Sequence, residues 1–342
     1  MTEGVREEPV FHPGDAVGSY RIIRALGRGG MGRVWEVEHF ALKVRYALKS
    51  YSVSQDDEDG AFERFVSEGR VLARMNHPNL VRVFDLGYDA KTGQMYFVMD
   101  LVTGSDGEPR TLADLAPGEV DERQVFVWFE ELCRALAYVH AQGVVHRDVK
   151  LNNILVSRDG HAVLSDFGIS HIIDIGLRSD VDASKTIVTK DGSRYAMGTV
   201  GYMAPEVARG QDATPASDAY SLAVAIFRLL TNVWYDSHLA PGVAARSQGT
   251  DAVKLLEMFE LNWKGVLPKM LRERPAERLV DFPALPALVD PKSGKSGNAG
   301  FGGRSIAVAV VVGIVSLALG ALLHMFWADW RDYQELKTEV VE

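Results

Sequence analysis

Short runs in which apolar and polar residues alternate dominate the first third of the chain. Tyr20–Leu26, Val34–Phe40, Tyr46–Tyr51, Val81–Leu86 and Met95–Leu101 read as strands. One stretch of helical spacing interrupts them, Ala61–Met75, preceded by the acidic loop QDDEDG. Its Phe65, Leu72 and Met75 share a face at i, i+7 and i+10. Beyond residue 111 the period lengthens. Glu122–Gln142 and Ala216–Thr231 carry helical spacing, with only short strands such as Ala162–Leu164 between them. The pattern predicts an α+β fold in two lobes over residues 20–283, strand-rich at about 20–103 and helix-rich at about 104–283. Residues 1–18 are polar, with Pro9 and Pro13, and are expected to form a flexible leader. Residues 284–304, ending in the Gly/Ser/Lys-rich run PKSGKSGNAGFGGR, are expected to form a linker.

One segment departs from this balance. Ile306–Trp327 reads IAVAVVVGIVSLALGALLHMFW, long and apolar enough to cross a ~30 Å bilayer core as a helix over residues 305–327. The N-terminus MTEGVREEPV has no apolar signal-peptide core, so the large domain is expected to stay on the side where it is made. Residues 328–342 would then form a short external tail. Hydrophobic residues make up 47% of the chain and charged residues 24%, which excludes a wholly disordered chain. The net charge of −9 disfavours nucleic acid as a partner, since such binding rests on neutralising phosphates. The single cysteine, Cys133, excludes an intramolecular disulfide and reads as a small core residue.

Candidate chemistry begins after the first strand, at Gly27-Arg28-Gly29-Gly30-Met31-Gly32-Arg33-Val34. Glycines at this spacing let a backbone approach phosphate oxygens closely. The next residues, VWEVEHF, alternate like a strand, which favours a strand–loop–strand hairpin over a dinucleotide-binding turn. A phosphate-holding cation should follow. Lys49 has room before it for a second strand and a turn, whereas Lys43 falls in or near that turn and reads as a solvated surface residue. Glu68 lies on the apolar stripe of the helix, where a carboxylate is costly unless a cation meets it; Lys49 is the natural partner. Then comes Val145-His146-Arg147-Asp148-Val149-Lys150-Leu151-Asn152-Asn153, followed by Asp166-Phe167-Gly168. Asn153 and Asp166 offer hard oxygen ligands suited to Mg²⁺. Farther on lie GTVGYMAPE at 198–206 and SDAYSL at 217–222. Gly294-Lys295-Ser296 mimics the end of a Walker loop, but Val289 stands where that loop has its first glycine, and the stretch reads as linker.

These elements, in this order over residues 20–283, resemble the protein kinase signature set. The GGMGRV wording of the loop, with an apolar helix near the C-terminus, most resembles the eukaryotic-type serine/threonine kinases of bacteria. The resemblance implies ATP with Mg²⁺, or Mn²⁺ in its place, and Ser/Thr-bearing proteins as substrates. It also implies roles for individual residues. Leu26 and the loop Gly27–Val34 would cover the nucleotide, and Val34 and Ala47 would sandwich its adenine. Lys49, paired with Glu68, would bind the α- and β-phosphates. Met99 matches the gatekeeper, and Asp100–Val102 the hinge that reads the adenine edge. Asp148 would accept the substrate hydroxyl's proton, Lys150 would steady the γ-phosphoryl charge, and Asn153 and Asp166 would hold the metal. Thr199 would bond near Asp148 and Lys150, Glu206 would bridge to Arg278, and Asp218 would brace the catalytic loop from below.

The lysine two residues after Asp148 points to Ser/Thr rather than Tyr specificity. The sequence departs from the family at Ala223, at Arg274, and in the length of the segment from Asp166 to Glu206. Within that segment Ser184, Thr186, Thr189 and Ser193 could take a phosphate facing Arg147, and Thr186 and Thr189 are the expected autophosphorylation sites. The resemblance places the kinase domain in the cytoplasm of a single-pass membrane protein, its C-terminus outside. Ala309, Gly313, Ser316 and Gly320 form a stripe of small residues on which two such helices could pair as a homodimer. A pseudokinase acting as a nucleotide-binding scaffold is the alternative, and a small-molecule kinase on the same fold is a third reading.

Overall fold

Alternation in the first third of the chain folds into one antiparallel sheet of six strands: β1 (Ala16–Val17), β2 (Tyr20–Gly29), β3 (Gly32–His39), β4 (Arg45–Ser52), β5 (Val83–Asp89) and β6 (Gln94–Met99). Their order is β1-β2-β3-β4-β6-β5. Helix α1 (Glu58–Leu72) connects β4 to β5. The computed structural model describes residues 11–29, 32–52, 58–115, 120–166, 186–188, 194–196, 201–232 and 262–289. The chain divides into two units, Met1–Gly294 and Lys295–Glu342, and the second lies wholly outside the described residues. The apolar run 306–327 therefore lies outside them too; among the described residues no helix is long and apolar enough to cross a membrane.

Each sheet face has its own apolar cluster. One face packs Ala47, Tyr51, Phe97 and Met95 against Phe65 and Leu72 of α1, in a core continuous with the helical lobe. On the other lie Tyr20, Ile22, Trp35, Val37, Leu48, Tyr96 and Val98, closed over by Phe11 and Val17. The expected leader is thus shorter than residues 1–18. Phe11 is 2% exposed and meets the Trp35 ring edge-on at 6.3 Å, and Ala16–Val17 pairs with β2. A lone aromatic among prolines and charges has no period, so composition alone hides its burial.

Helix α2 (Glu122–Ala141) starts at Asp121, whose carboxylate accepts the Gln124 N–H at 2.7 Å. It buries Val125, Phe129, Leu132, Leu136 and Val139 along one side. Cys133 lies fully buried on the same helix, and burial pushes its thiol well up, as suits an inert core residue. Two hairpins follow, β7 (Ile154–Val156) with β8 (Ala162–Leu164), and β9 (Thr186–Val188) with β10 (Arg194–Ala196). After the short α3 (Pro205–Ala208) comes α4 (Pro215–Thr231), buried continuously from Ser217 to Phe227. Pro215 at its first turn and a left-handed Asn232 at its end (φ 54°) delimit it. A four-residue α5 (Leu267–Met270) and 3₁₀ turns at Pro275–Glu277 and Leu285–Leu288 complete the lobe. The expected linker likewise starts later than 284, because Leu285 and Val289 are buried. Their prolines shape a 3₁₀ turn rather than a free tether.

The lobes meet along two connections. Asp100 leaves β6 with its N–H bonded to the Arg82 carbonyl, which ends the strand before Leu101. Leu80 bridges to Leu164 in parallel, Val81 N–H donates to the Leu164 carbonyl, and Asn79 Nδ2 donates to the Ala162 carbonyl at 2.8 Å. Those commitments explain why β5 begins at Val83 and not at Val81.

Candidate active site

The hairpin β2–β3 brings Gly29 opposite Gly32; Gly30 and Met31 lie outside the described residues, and of Arg28 only the backbone is described. A Cβ on Gly32 would collide with the Ser50 carbonyl oxygen, so only glycine lets β3 lie so close to β4. Around Gly27 the space is open. Leu26 and Val34 pack partly buried on the core beneath the loop, and Ala47 is buried beside them. Arg33 pairs with Ser50 across the strands. At the cleft's rear Met99 is buried, while Leu101 and Val102 are half-buried. The Asp100 carboxylate accepts the Arg82 N–H at 3.2 Å, and burial pushes its pKa up.

Strand β4 sets Lys49 opposite Val34 on one side and Phe97 on the other. Its Nζ lies 2.8 Å from Oδ1 of Asp166. Burial alone would discharge this lysine, but Asp166, with help from Tyr51 and Asp148, holds its pKa above the ordinary value. The same pair works on Asp166. Burial pushes its carboxyl up, while Lys49 and then Lys150 pull it below the usual range. The expected partner, Glu68, falls within α1, and its side chain lies outside what the structure describes. Lys43 is a surface residue as expected, 66% exposed and 3.5 Å from Glu38.

The loop 146–153 is stitched by its own side chains. His146 is fully buried, and burial pushes its pKa down despite three nearby carboxylates. The neutral ring suits both contacts: Nε2–H donates to the Ser165 carbonyl at 3.1 Å, and Nδ1 accepts the Asp148 N–H at 3.3 Å. Asp218 of α4 accepts the His146 and Arg147 N–H groups at 2.8 and 2.9 Å. These bonds hold Arg147 in the left-handed region at φ 69°; Asp166 sits there too, at φ 58°. Lys150 Nζ and Asn153 Nδ2 both donate to Asp148 Oδ2 at 2.8 Å, and Asn153 Nδ2 also reaches the Asp148 carbonyl at 2.9 Å.

One oxygen remains. Asp148 Oδ1 is buried and has no hydrogen-bond partner among the described residues. A buried acceptor left open costs about 1–3 kcal/mol, so the site holds it ready for a donor that arrives from outside. Beside it Asn153 has turned its amide N–H groups to Asp148, and only one oxygen of Asp166 is taken up by Lys49. A carboxylate and an amide carbonyl with oxygen to spare fit a small hard cation that keeps waters or phosphate oxygens as its other ligands. Among the described residues no cluster of three or more His, Cys, Asp or Glu side chains offers a metal site.

Glu206 and Arg278 form two bonds of 2.6 Å, both residues buried. Ala223 is fully buried within α4, and Arg274 is exposed, away from the loop. Thr199 and Thr189 lie outside the described residues, as do Phe167 and Gly168, and Thr186 is described only as backbone in β9. Two polar contacts escaped the sequence reading. His140 Nε2 lies 2.8 Å from Asp218 Oδ2, a third contact on that carboxylate. The signal was there, since His140 follows Leu136 and Cys133 at i+4 and i+7 on the buried face of α2. Arg24 reaches from β2 to Glu108 at 2.8 Å, an exposed contact between the lobes.

Comparison with known proteins agrees with this geometry. The family model described as the protein kinase domain matches residues 20–285. Serine/threonine-protein kinase PknA of Mycobacterium tuberculosis is 39% identical over 210 residues, 60% of this chain and 45% of that protein. Serine/threonine-protein kinase PrkC of Bacillus subtilis is 31% identical over 230 residues, 67% of this chain and 33% of that one. The chain thus spans less than half the length of these relatives. Among solved structures, the PknI kinase domain of Mycobacterium tuberculosis superposes with a TM-score of 0.59 at 25% identity, covering 82% of this chain and 98% of that one.

Proposed function

Since the chain belongs to the protein kinase family, we propose that it is a serine/threonine protein kinase. It would transfer the γ-phosphoryl group of ATP to Ser and Thr hydroxyls of proteins, its own segment between Asp166 and Glu206 included. A membrane helix at 305–327 would tether it, with the catalytic domain on the cytoplasmic side. The observation that carries the reading is the Lys49–Asp166 ion pair near a loop in which Lys150 and Asn153 hold one oxygen of Asp148 and leave the other open.

In this reading ATP is the phosphoryl donor, and Asn153 and Asp166 would hold Mg²⁺, which would neutralise charge on the phosphates. Asp148 Oδ1 accepts the proton of the substrate hydroxyl as that oxygen bonds to the γ-phosphorus and the bond from that phosphorus to the bridging oxygen breaks, with ADP as the leaving group. Asp148 Oδ2, held by Lys150 and Asn153, fixes the carboxylate's orientation. Lys150, already at the catalytic carboxylate, is within reach of the transferred group. Lys49 positions the remaining phosphates. Substitution by a neutral amide, Asp148→Asn, removes the proton acceptor at nearly unchanged shape. The full chain in detergent, given labelled ATP, Mg²⁺ and a generic protein, should label Ser and Thr, and the Asp148→Asn chain should bind ATP without labelling. Equal labelling by both chains, or none by the native chain while it still binds ATP, would overturn the reading; the second result is what a scaffold would give.

A further inference from the structure

Tyr51 stands two residues beyond Lys49 on β4, so the two side chains share a face of the sheet. The Lys49 ammonium lies 5.6 Å from the centre of the Tyr51 ring, within range of an attraction between a cation and an aromatic face. That ring is 2% exposed and meets two others edge-on: Phe65 of α1 at 6.1 Å and Phe97 of β6 at 6.1 Å. Phe65 and Phe97 in turn lie 4.1 Å apart. The end of the glycine loop abuts the same group, since a Cβ on Gly32 would come within 3.5 Å of Tyr51 Cδ1. A single ring therefore touches the phosphate-binding lysine, the helix that carries Glu68 and the strand that closes the loop.

We infer that Tyr51 is a positioning residue for the nucleotide's phosphates, its ring holding the Lys49 ammonium in place while tying it to α1 and to the glycine loop. This rests on the kinase reading above. An aliphatic side chain would fill the space but offer no electron-rich face. An ammonium that lost this contact would lean more on Asp166, 2.8 Å away, and so turn from the phosphates toward the carboxylate.

The phosphates make the inference testable apart from folding. ADP carries the groups that Lys49 holds, and adenosine does not. In the full chain, Tyr51→Leu should weaken ADP binding on the order of fivefold, the scale of one modest cation–ring contact, and leave adenosine binding unchanged. Tyr51→Phe keeps the ring and should bind ADP as the native chain does. Should the leucine variant fail to fold, phenylalanines bearing one, two or three ring fluorines at position 51 hold the shape and withdraw electron density. ADP affinity should then fall stepwise with fluorination. Equal weakening of ADP and adenosine, or ADP binding indifferent to ring electronics, would overturn the inference and leave the kinase reading intact. A native chain that binds no ADP would overturn both.

Discussion

Lys49 and Asp166, on different lobes, meet at 2.8 Å across the cleft and fix each other's charge. Each is partly buried, which favours its neutral form, and each is held charged by the other. Lys49→Met preserves the length of the side chain and removes the charge. Phosphoryl transfer should fall by on the order of a hundredfold or more, the usual scale for losing one charge-stabilising group. The Asp166 carboxyl, relieved of its main partner, should titrate higher than in the native chain. Steady-state kinetics and a carboxyl-resolved NMR titration of the two chains check both statements. Native turnover in the methionine variant would show that the pair is structural only.

Asp218 acts at one remove. Its carboxylate takes the N–H groups of His146 and Arg147 and contacts His140 Nε2, so Asp148 enters the cleft on a backbone braced from α4. Asp218→Asn must turn an NH₂ group toward at least one of those donors. Turnover should drop roughly ten- to hundredfold, the cost of a small misplacement at the reacting centre. The Michaelis constant for ATP should stay within about twofold, because the hinge and glycine loop are untouched. A variant that instead loses ATP affinity at constant turnover would place Asp218 in nucleotide binding.

Local chemistry was legible in the sequence, and distant pairing was not. The run His146–Asn153 folds back on itself, so its spacing alone brings Lys150 and Asn153 to Asp148. Glu206 with Arg278, and Asp218 with the loop, were readable only through the family resemblance, because each joins residues about seventy positions apart. The apolar stripe of α1 pointed from Lys49 to Glu68, whose side chain lies outside the described residues, whereas the contact between Lys49 and the distant Asp166 had no local signal. Burial at the domain's ends was hidden for another reason. Phe11, Leu285 and Val289 lie among prolines, where neither helical nor strand periodicity can mark a buried side.

Phe11 gives that last point a measurable consequence. Its ring is 2% exposed, between Trp35 and the apolar side of β1 to β3. Phe11→Ala should cost about 3–5 kcal/mol, the range for emptying a buried aromatic site. Tyr or Leu at this position should recover much of that. Thermal denaturation reads the difference as a midpoint shift of roughly 6 °C or more for a domain of this size. A midpoint within a degree of native would mean that residues 11–17 detach without consequence.

The bridge between Glu206 and Arg278 predicts an asymmetry. All five guanidinium N–H groups of Arg278 are satisfied: two by Glu206, three by the carbonyls of Arg272, Ala216 and Glu273. The Tyr220 ring adds a further contact at 4.9 Å. Glu206, by contrast, has only Ser217 Oγ, at 2.8 Å, as its other side-chain partner among the described residues. Glu206→Gln therefore leaves a cation that still has partners, whereas Arg278→Met leaves a buried carboxylate nearly alone. The arginine variant should be the less stable at neutral pH, by about 3–5 kcal/mol relative to native. Acid narrows both gaps. In the native chain burial pushes the Glu206 carboxyl up, but Arg278 and Ser217 hold it below its ordinary value. A depressed carboxyl contributes stability at pH above its unfolded pKa of roughly 4, and that stability is lost as pH falls through the folded value. Without Arg278 burial prevails and raises the same carboxyl above its unfolded value. Its penalty is then largest at neutral pH and disappears as the group protonates. The gap between native and Arg278→Met should thus narrow steadily from pH 7 to pH 4, and the gap to Glu206→Gln should also shrink as the native pair loses its charge. Urea denaturation at half-unit pH intervals measures both. A gap to the methionine variant that stays constant or widens toward acid would show that the two residues do not stabilise the fold through their charges.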